Sequence, residues 1–282
     1  MINLLYIDWN FDPVIFTIFG LDIRYYSLTW VLAILIGAKY FEIYCKREKM
    51  SQEVSESIFI YGTLATMLGA RIGHCLFYEP EVYLVRPWEI FTKFRNGGLA
   101  SHGAAIGLLI GIWLFARRNK LPYLWALDRI MIPTCIGGAL VRFGNLFNSE
   151  IFGTETTLPW GFRFLRSHEW VTEYAPAACH PTQIYEAICY IITFVIVWMM
   201  YFRYDLARRR PGTILGVGLI GIFLSRIAIE SIKNIQVGFE ASMTLNMGQW
   251  LSVPFILGGI YLIYRGFSRP ALDLPALDKN KK

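Results

Sequence analysis

Residues 212–230 read GTILGVGLIGIFLSRIAIE, an apolar stretch in which Arg226 is the first charged residue. Its length suits a bilayer-crossing helix, which needs about 20 residues. Six further stretches resemble it, although Gly, Tyr or single charges dilute several of them. We therefore predict an all-α integral membrane protein of about seven transmembrane helices, near residues 25–45, 58–78, 98–116, 125–147, 184–202, 212–230 and 248–266.

The overall composition agrees with a membrane bundle. Of the 282 residues, 55% are hydrophobic and 17% are charged, whereas soluble proteins have roughly a quarter of charged residues. The start of the chain does not suggest a cleaved signal peptide, because Asp8, Asp12 and Pro13 interrupt its apolar run and no basic residue precedes them. The five cysteines are scattered, which favours neither a disulfide framework nor a zinc site.

Basic residues predict the orientation of the bundle. Lys and Arg are abundant after the first, third, fifth and seventh spans and fewer after the others. The positive-inside rule places the rich segments in the cytoplasm, so the N-terminus is expected outside and the C-terminus inside. Residues 148–183 are expected to form a small external cap, and 268–282 a short cytoplasmic tail, on one bundle domain spanning 1–282. Because the basic residues cluster after the predicted spans, the net charge of +6 does not indicate binding of nucleic acid.

Charged residues within the predicted spans are the main functional signal. Each costs about 2.5–3.5 kcal/mol at mid-bilayer on insertion scales. Arg226 and Glu230, four residues apart, face the same side of a helix and have a purely structural reading as a neutralising pair. Asp128 and Arg129, near an inner helix end, are read as structural, snorkelling groups. The full set is Arg71, Asp128, Arg129, Arg142, Arg226 and Glu230.

The predicted orientation brings polar residues to one leaflet. Spans two, four and six run outward, which places Arg71, Arg142 and Arg226 in their outer halves. The inward spans begin at that same face with a second group of polar residues: Tyr25, Tyr26, His102, the stretch 180–186 and Gln249. A substrate site near the outer leaflet is therefore predicted.

Arginine suggests what such a site binds. Its planar fork matches phosphate oxygens, and the phosphate available at that depth belongs to a phospholipid. Asn145, one helical turn after Arg142, is expected to add a hydrogen-bonding group. Gly144 and Gly153 are expected to leave room for a ligand. His102 is a candidate general base because histidine titrates near neutral pH, and its alternative reading is a hydrogen-bonded residue at a helix start.

Two sets of glycines, Gly69 with Gly73 and Gly103 with Gly107 and Gly111, recur every four residues. Small residues at this spacing let helix backbones approach closely in lipid.

Several motifs carry a family resemblance over nearly the whole chain. They are FDPVIF (11–16), GARIG (69–73), NGGLASHG (96–103), RFGNLFNSEIFG (142–153), HPTQIYE (180–186), RxxxE (226–230) and NMGQ (246–249). In these segments the sequence resembles the prolipoprotein diacylglyceryl transferases, and the 142–153 block is the most specific of them.

The resemblance implies a reaction in the bacterial cytoplasmic (inner) membrane. The diacylglyceryl group of the membrane lipid phosphatidylglycerol moves to the lipobox cysteine thiol of a prolipoprotein signal peptide, a thioether forms and glycerol phosphate leaves. The implied roles are phosphate binding and catalysis by Arg142 and Arg226, support of the substrate by Tyr26, Asn145, Gly153 and Glu230, and proton abstraction by His102. Neither a cofactor nor a metal is expected.

Three positions depart from the family pattern. Ala104 stands in place of the second glycine of a frequent H-G-G, Ser149 stands in place of the glycine of N-G-E, and Ile222 stands where tyrosine is common.

Three other functional classes are alternatives to the transferase. A transporter or flippase with an anion-binding vestibule also suits intramembrane Arg and Glu. A structural membrane subunit does not explain the converging charges, and a membrane protease lacks a GxSxG or HExxH motif.

Overall fold

The computed structural model describes residues 6–92, 100–167, 177–234 and 244–271. The chain divides into two compact units, one of residues 1–37 and 128–274 and the other of residues 38–127 and 275–282. The elements of the described chain, in order, are β1 (Ile7–Trp9), β2 (Val14–Ile18), β3 (Leu21–Arg24), α1 (Tyr25–Arg47), α2 (Gln52–Phe77), α3 (Pro80–Tyr83), α4 (Glu89–Thr92), α5 (Ser101–Arg118), α6 (Tyr123–Phe147), β4 (Phe162–Phe164), α7 (Thr182–Phe202), α8 (Leu206–Arg209), α9 (Thr213–Glu230) and α10 (Met247–Ser268).

The long helices coincide with the predicted apolar stretches. The largest difference is at α2, which begins at Gln52 and not near residue 58. Five helices of the described chain are long and apolar enough to cross a membrane: α1, α6, α7, α9 and α10. The protein is thus a mostly helical integral membrane protein, and a count of seven spans and the orientation of the termini stay predictions.

Short strands correct the expectation of an all-α chain. β1 pairs in parallel with β4, with Ile7 opposite Phe162 and Trp9 opposite Phe164. β2 and β3 form an antiparallel hairpin that turns at Phe19 and Gly20, both of which have positive φ. Sequence patterns did not predict β1 or β4 because three residues are too few to show a strand periodicity.

The described residues between α6 and α7, which we call the cap, share a small core with the end of α6 and with β1. Leu146, Phe152, Phe164 and Cys179 are buried together, and Trp9 packs against them. The Trp9 indole Nε1 also donates to the backbone oxygen of Leu146 at 2.9 Å. The N-terminal strand therefore joins the segment that follows α6, and this fastens the cap to the helix that carries Arg142.

Asp128 and Arg129 are structural groups, as expected, but they do not snorkel, because both are fully buried. The Asp128 carboxylate accepts hydrogen bonds from the backbone amides of Gly212 at 2.6 Å and Leu215 at 2.8 Å. It thereby satisfies two of the unpaired amides at the start of α9. The Arg129 guanidinium lies over the Tyr201 ring, 5.6 Å from its centroid.

In the other unit, α2 and α5 pack through the predicted glycine stripe. A Cβ added at Gly69 would lie 2.7 Å from the Gly107 Cα, and one added at Gly73 would lie 2.7 Å from the Gly103 Cα. Neither backbone atom has room to yield, so the helices approach closely only because these positions lack side chains. The stripe has the packing role that its spacing indicated.

Candidate functional site

Arg142 lies in the last part of α6 and is held by neighbouring side chains. Its Nε is 2.5 Å from a carboxylate oxygen of Glu186 on α7. Its Nη1 donates to the Asn145 side-chain oxygen at 3.3 Å, as the one-turn spacing indicated. The guanidinium also donates a hydrogen bond to the Tyr190 hydroxyl oxygen. Three partners thus fix the orientation of this cation.

The contacts of Arg142 continue into a chain of alternating charges. The Lys233 Nζ is 3.2 Å from the second carboxylate oxygen of Glu186 and 3.4 Å from a carboxylate oxygen of Glu230. The Arg226 Nε is 3.8 Å from that same Glu230 oxygen. We call these five side chains, Arg142, Glu186, Lys233, Glu230 and Arg226, the ion ladder. Three cations and two carboxylates give it one excess positive charge.

The two arginines at the ends of the ion ladder differ in how well they are paired. The Arg142 side chain is 15% exposed and contacts a fully buried carboxylate. The Arg226 side chain is 34% exposed, and its Nε has no hydrogen-bond partner among the described residues. An arginine fork with unused donors binds an anion readily. Arg226 is therefore the more available cation.

A strained loop follows Arg142. The side chains of Asn145 and Asn148 donate to one carboxylate oxygen of Glu150, at 2.8 and 3.2 Å. Ser149 and Ile151 on either side of Glu150 have φ of 54° and 61°, a left-handed conformation that is costly for residues with a Cβ. Strained backbone persists where its surroundings hold it, and it concentrates at functional sites.

The HPTQIYE segment fixes that loop from α7. The Gln183 amide donates to the Glu150 backbone oxygen at 2.7 Å, and the Thr182 hydroxyl donates to the Ile151 backbone oxygen at 2.9 Å. One helical turn further on, Glu186 contacts Arg142. A single motif therefore positions both the loop and the arginine.

The NMGQ motif positions Glu230 from the start of α10. Asn246 caps this helix in a reciprocal arrangement with Gln249, and the Gln249 amide also donates to the Ile227 backbone oxygen at 3.2 Å. A Cβ at Gly248 would lie 2.7 Å from the carboxylate carbon of Glu230. Glycine at this position therefore gives the Glu230 carboxylate its space.

Gly144 brings Tyr26 to this region. A Cβ at Gly144 would lie 2.8 Å from the Tyr26 ring and 2.6 Å from the Thr29 hydroxyl oxygen. At Gly153 it would lie 2.5 Å from the backbone oxygen of Ile232. Protein atoms fill both spaces, so these glycines serve close packing on the side where a Cβ would lie, and their expected role in leaving room for a ligand stays a prediction.

His102 and Arg71 belong to the other unit. His102 is the second residue of α5, and it is exposed. Arg71 is buried, and its guanidinium donates to the Ile90 backbone oxygen at 2.9 Å and to the Tyr83 hydroxyl at 3.1 Å. Arg71 is thus engaged in joining α2 to the segment that follows it, while the role of His102 as a base stays a prediction.

Two members of the ion ladder, Glu186 and Lys233, were not predicted as individual site residues, although Glu186 belongs to the polar stretch 180–186. Glu186 falls inside the predicted span 184–202, and a carboxylate at that depth signals a cationic partner. Lys233 is not among the candidate residues that the sequence pattern indicated, although it follows Glu230 by three positions, the spacing of one helical turn. Both signals were present in the sequence.

Known proteins resemble the chain over nearly its full length. Residues 13–265 match the family model described as prolipoprotein diacylglyceryl transferase. Phosphatidylglycerol–prolipoprotein diacylglyceryl transferases of Porphyromonas gingivalis and Bacteroides fragilis are 48% and 40% identical to it; these matches cover 94% and 93% of this chain and 96% and 95% of the relatives. The enzyme of the same name from Chloroherpeton thalassium is 36% identical over 95% of this chain and 97% of its own. The chain thus belongs to the prolipoprotein diacylglyceryl transferase family.

Proposed function

We propose that this protein transfers the diacylglyceryl group of phosphatidylglycerol to the lipobox cysteine thiol of a prolipoprotein, the first step of lipoprotein maturation. The observation that carries the site assignment is the unequal pairing within the ion ladder. Glu186 fixes Arg142 at 2.5 Å, whereas the Arg226 side chain is 34% exposed, lies 3.8 Å from Glu230 and belongs to a helix that is apolar enough to cross a membrane. Such an arrangement suits an anionic lipid headgroup at membrane depth.

The transfer requires a sulfur nucleophile and a stabilised leaving group. The thiolate form of cysteine attacks the glycerol carbon that bears the phosphate. A carbon–sulfur bond forms, the carbon–oxygen bond breaks, and its electron pair remains on the departing glycerol phosphate. Arg226 and Arg142 stabilise the negative charge that grows there, and the Arg142 guanidinium is already oriented before the reaction begins. The thiol proton passes to a base, for which His102 is the candidate.

The supporting residues have separate tasks in this proposal. Asn145 orients Arg142, Glu230 balances part of the positive charge beside Arg226, and Tyr26 packs where α1 meets Gly144. Gly153 has an indirect role, since its backbone amide donates to the His180 backbone oxygen at 2.8 Å and ties the cap to the start of α7.

We place the protein in the bacterial cytoplasmic membrane as one seven-span bundle, with the site toward the outer leaflet. The distribution of Lys and Arg supports this orientation. A single cysteine in the tail 268–282 of an otherwise cysteine-free variant tests it. An impermeant thiol reagent should label that cysteine in inverted vesicles and leave it unlabelled in intact spheroplasts, and the opposite pattern contradicts the orientation.

A direct assay tests the reaction. Purified protein, labelled phosphatidylglycerol and a lipobox peptide should yield a diacylglyceryl peptide and glycerol phosphate in equal amounts. A peptide whose cysteine is replaced by serine is the matched control and should remain unmodified. Lipid movement between leaflets without peptide modification would favour a flippase instead.

A further inference from the structure

Lys233 is a buried cation shared by two carboxylates. Its side chain is 3% exposed, and its Nζ contacts Glu186 at 3.2 Å and Glu230 at 3.4 Å. Its backbone is held as well, because it forms a bridge with Gly153 of the cap loop. A long, flexible side chain is thus fixed at both ends, between the two carboxylates of the ion ladder.

The Glu230 carboxylate lies farther from Arg226 than expected for two residues four positions apart on a helix. Arg and Glu four residues apart on a helix ordinarily meet as an ion pair, and poor hydration strengthens that attraction. Here their closest atoms are 3.8 Å apart, while Glu230 lies nearer to Lys233. The Glu230 carboxylate also packs closely against Gly248. The carboxylate is therefore drawn toward Lys233 and confined there.

This geometry affects what Arg226 can bind. A carboxylate that closed fully on Arg226 would occupy the same donors that a phosphate needs, so the two anions compete for one fork. We propose that Lys233 is a positioning residue that holds the Glu230 carboxylate away from Arg226 and so keeps the Arg226 guanidinium available to the lipid phosphate. The inference rests on the transferase function proposed above.

Removal of the Lys233 charge should weaken substrate binding more than the chemical step. In Lys233→Met, Glu230 loses its nearer cation and turns to Arg226. The KM for phosphatidylglycerol should rise about 10-fold, while kcat changes less than about threefold. Lys233→Arg keeps a cation at this position and should restore a KM near that of the unaltered protein. Lys39→Met is the control, because Lys39 is an exposed lysine that also pairs with a glutamate.

Two double variants separate positioning from simple charge balance. One double variant combines Lys233→Met with Glu230→Gln, and the other combines Lys233→Met with Glu186→Gln. Each removes the charge of one buried carboxylate that has lost its lysine partner. Only the first removes the competitor for Arg226. The KM should therefore return to that of the Glu230→Gln single variant in the first and remain raised in the second. Equal recovery in both would overturn the proposal, as would an unchanged KM in Lys233→Met.

Failure of the positioning role of Lys233 can be distinguished from failure of the proposed transferase function. If the unaltered protein modifies no lipobox peptide, the transferase assignment itself fails. If it does so and the Lys233 variants have a normal KM, only the positioning role fails. Thermal unfolding of the detergent-solubilised protein reports whether each variant folds. Where Lys233→Met does not fold, Lys233→Gln, which keeps hydrogen-bond donors without charge, carries the same expectation and the same contradiction.

Discussion

Glu186 of α7 and Arg142 of α6 form an ion pair in which the carboxylate is fully buried and the guanidinium nearly so, with 2.5 Å between their closest atoms. Removal of either partner leaves a buried charge insufficiently compensated, which typically costs about 3–5 kcal/mol. Arg142→Ala therefore reports on folding as well as on catalysis. A substitution that keeps the charge is the sharper probe.

Arg142→Lys should retain the ion pair with Glu186 and lose the planar fork. We expect kcat/KM to fall about 100-fold, since loss of one preorganised donor typically costs about 2.7–4 kcal/mol of transition-state stabilisation. Arg208 offers a matched control, because its side chain is also 15% exposed and pairs with Asp205 at 3.0 Å. Arg208→Lys should leave transfer unchanged. Similar losses in both variants would contradict a specific role for Arg142.

Gly144→Ala should destabilise the protein and reduce transfer. The added methyl would lie within 3.0 Å of both Tyr26 and Thr29, and overpacking of this kind costs about 1–3 kcal/mol. The melting temperature in detergent and the transfer rate measure the two effects. Gly258→Ala on α10 is the control, since nothing lies within 4 Å of its added Cβ. A normal melting temperature for Gly144→Ala would exclude the close contact.

Ser149→Gly should stabilise the protein. The φ of 54° at Ser149 is unfavourable for a residue with a Cβ, and glycine removes that strain at some cost in chain entropy. We expect the free energy of unfolding to rise by about 1 kcal/mol. Ser231, with φ of −67°, provides the comparison. Ser231→Gly should lower stability, and a loss in both variants would show that Ser149 is not strained.

Asp128→Ala should lower stability without altering the KM for phosphatidylglycerol. It removes the acceptor of two backbone amides at the start of α9, and loss of a helix cap costs about 0.5–2 kcal/mol. Along the axis of α6, Asp128 lies about 21 Å from Arg142, at a rise of 1.5 Å per residue. Asp128→Asn keeps one acceptor and should lose less. A raised KM in well-folded Asp128→Ala would link this cap to the site.

Acid should weaken the contact between the N-terminal segment and the cap. The backbone amide of Val14 and then the Arg166 guanidinium hold the pKa of Asp12 below its ordinary value of 3.8. A lowered pKa means that this contribution to stability is present above the ordinary value and is lost as the pH falls through the lowered one. The difference in Tm between the unaltered protein and Asp12→Asn should be largest near neutral pH and should shrink in acid. A difference that grew in acid would be inconsistent with this ion pair.

The sequence predicted the long helices because the length of an apolar stretch is a property of consecutive residues. Residues 212–230, for example, were predicted as a span and form α9 from Thr213 to Glu230. The β1–β4 pair was not predictable, because Trp9 and Phe164 are far apart in sequence and each strand has three residues. The pairing depends on cap packing that no local pattern records.

The sequence predicted several residues of the site but not the contacts between them. Asn145 was expected within one helical turn of Arg142, and its side-chain oxygen accepts a hydrogen bond from the Arg142 guanidinium. The pairing of Arg226 with Glu230, also suggested by spacing, is present as an ion pair at 3.8 Å, but Lys233 lies closer to the same carboxylate oxygen. Helical spacing identifies which side chains can meet. It does not decide between partners when a residue beyond the helix end competes.

The excess positive charge of the ion ladder has a thermodynamic consequence. The five side chains of the ion ladder do not neutralise this charge among themselves, and a monoanionic phosphodiester bound at Arg226 would compensate it in a poorly hydrated region. A ligand that binds the folded state alone raises its stability in proportion to occupancy. Phosphatidylglycerol should thus act as a structural component as well as a reactant, and the enzyme should be most resistant to heat in the membranes that contain its own substrate.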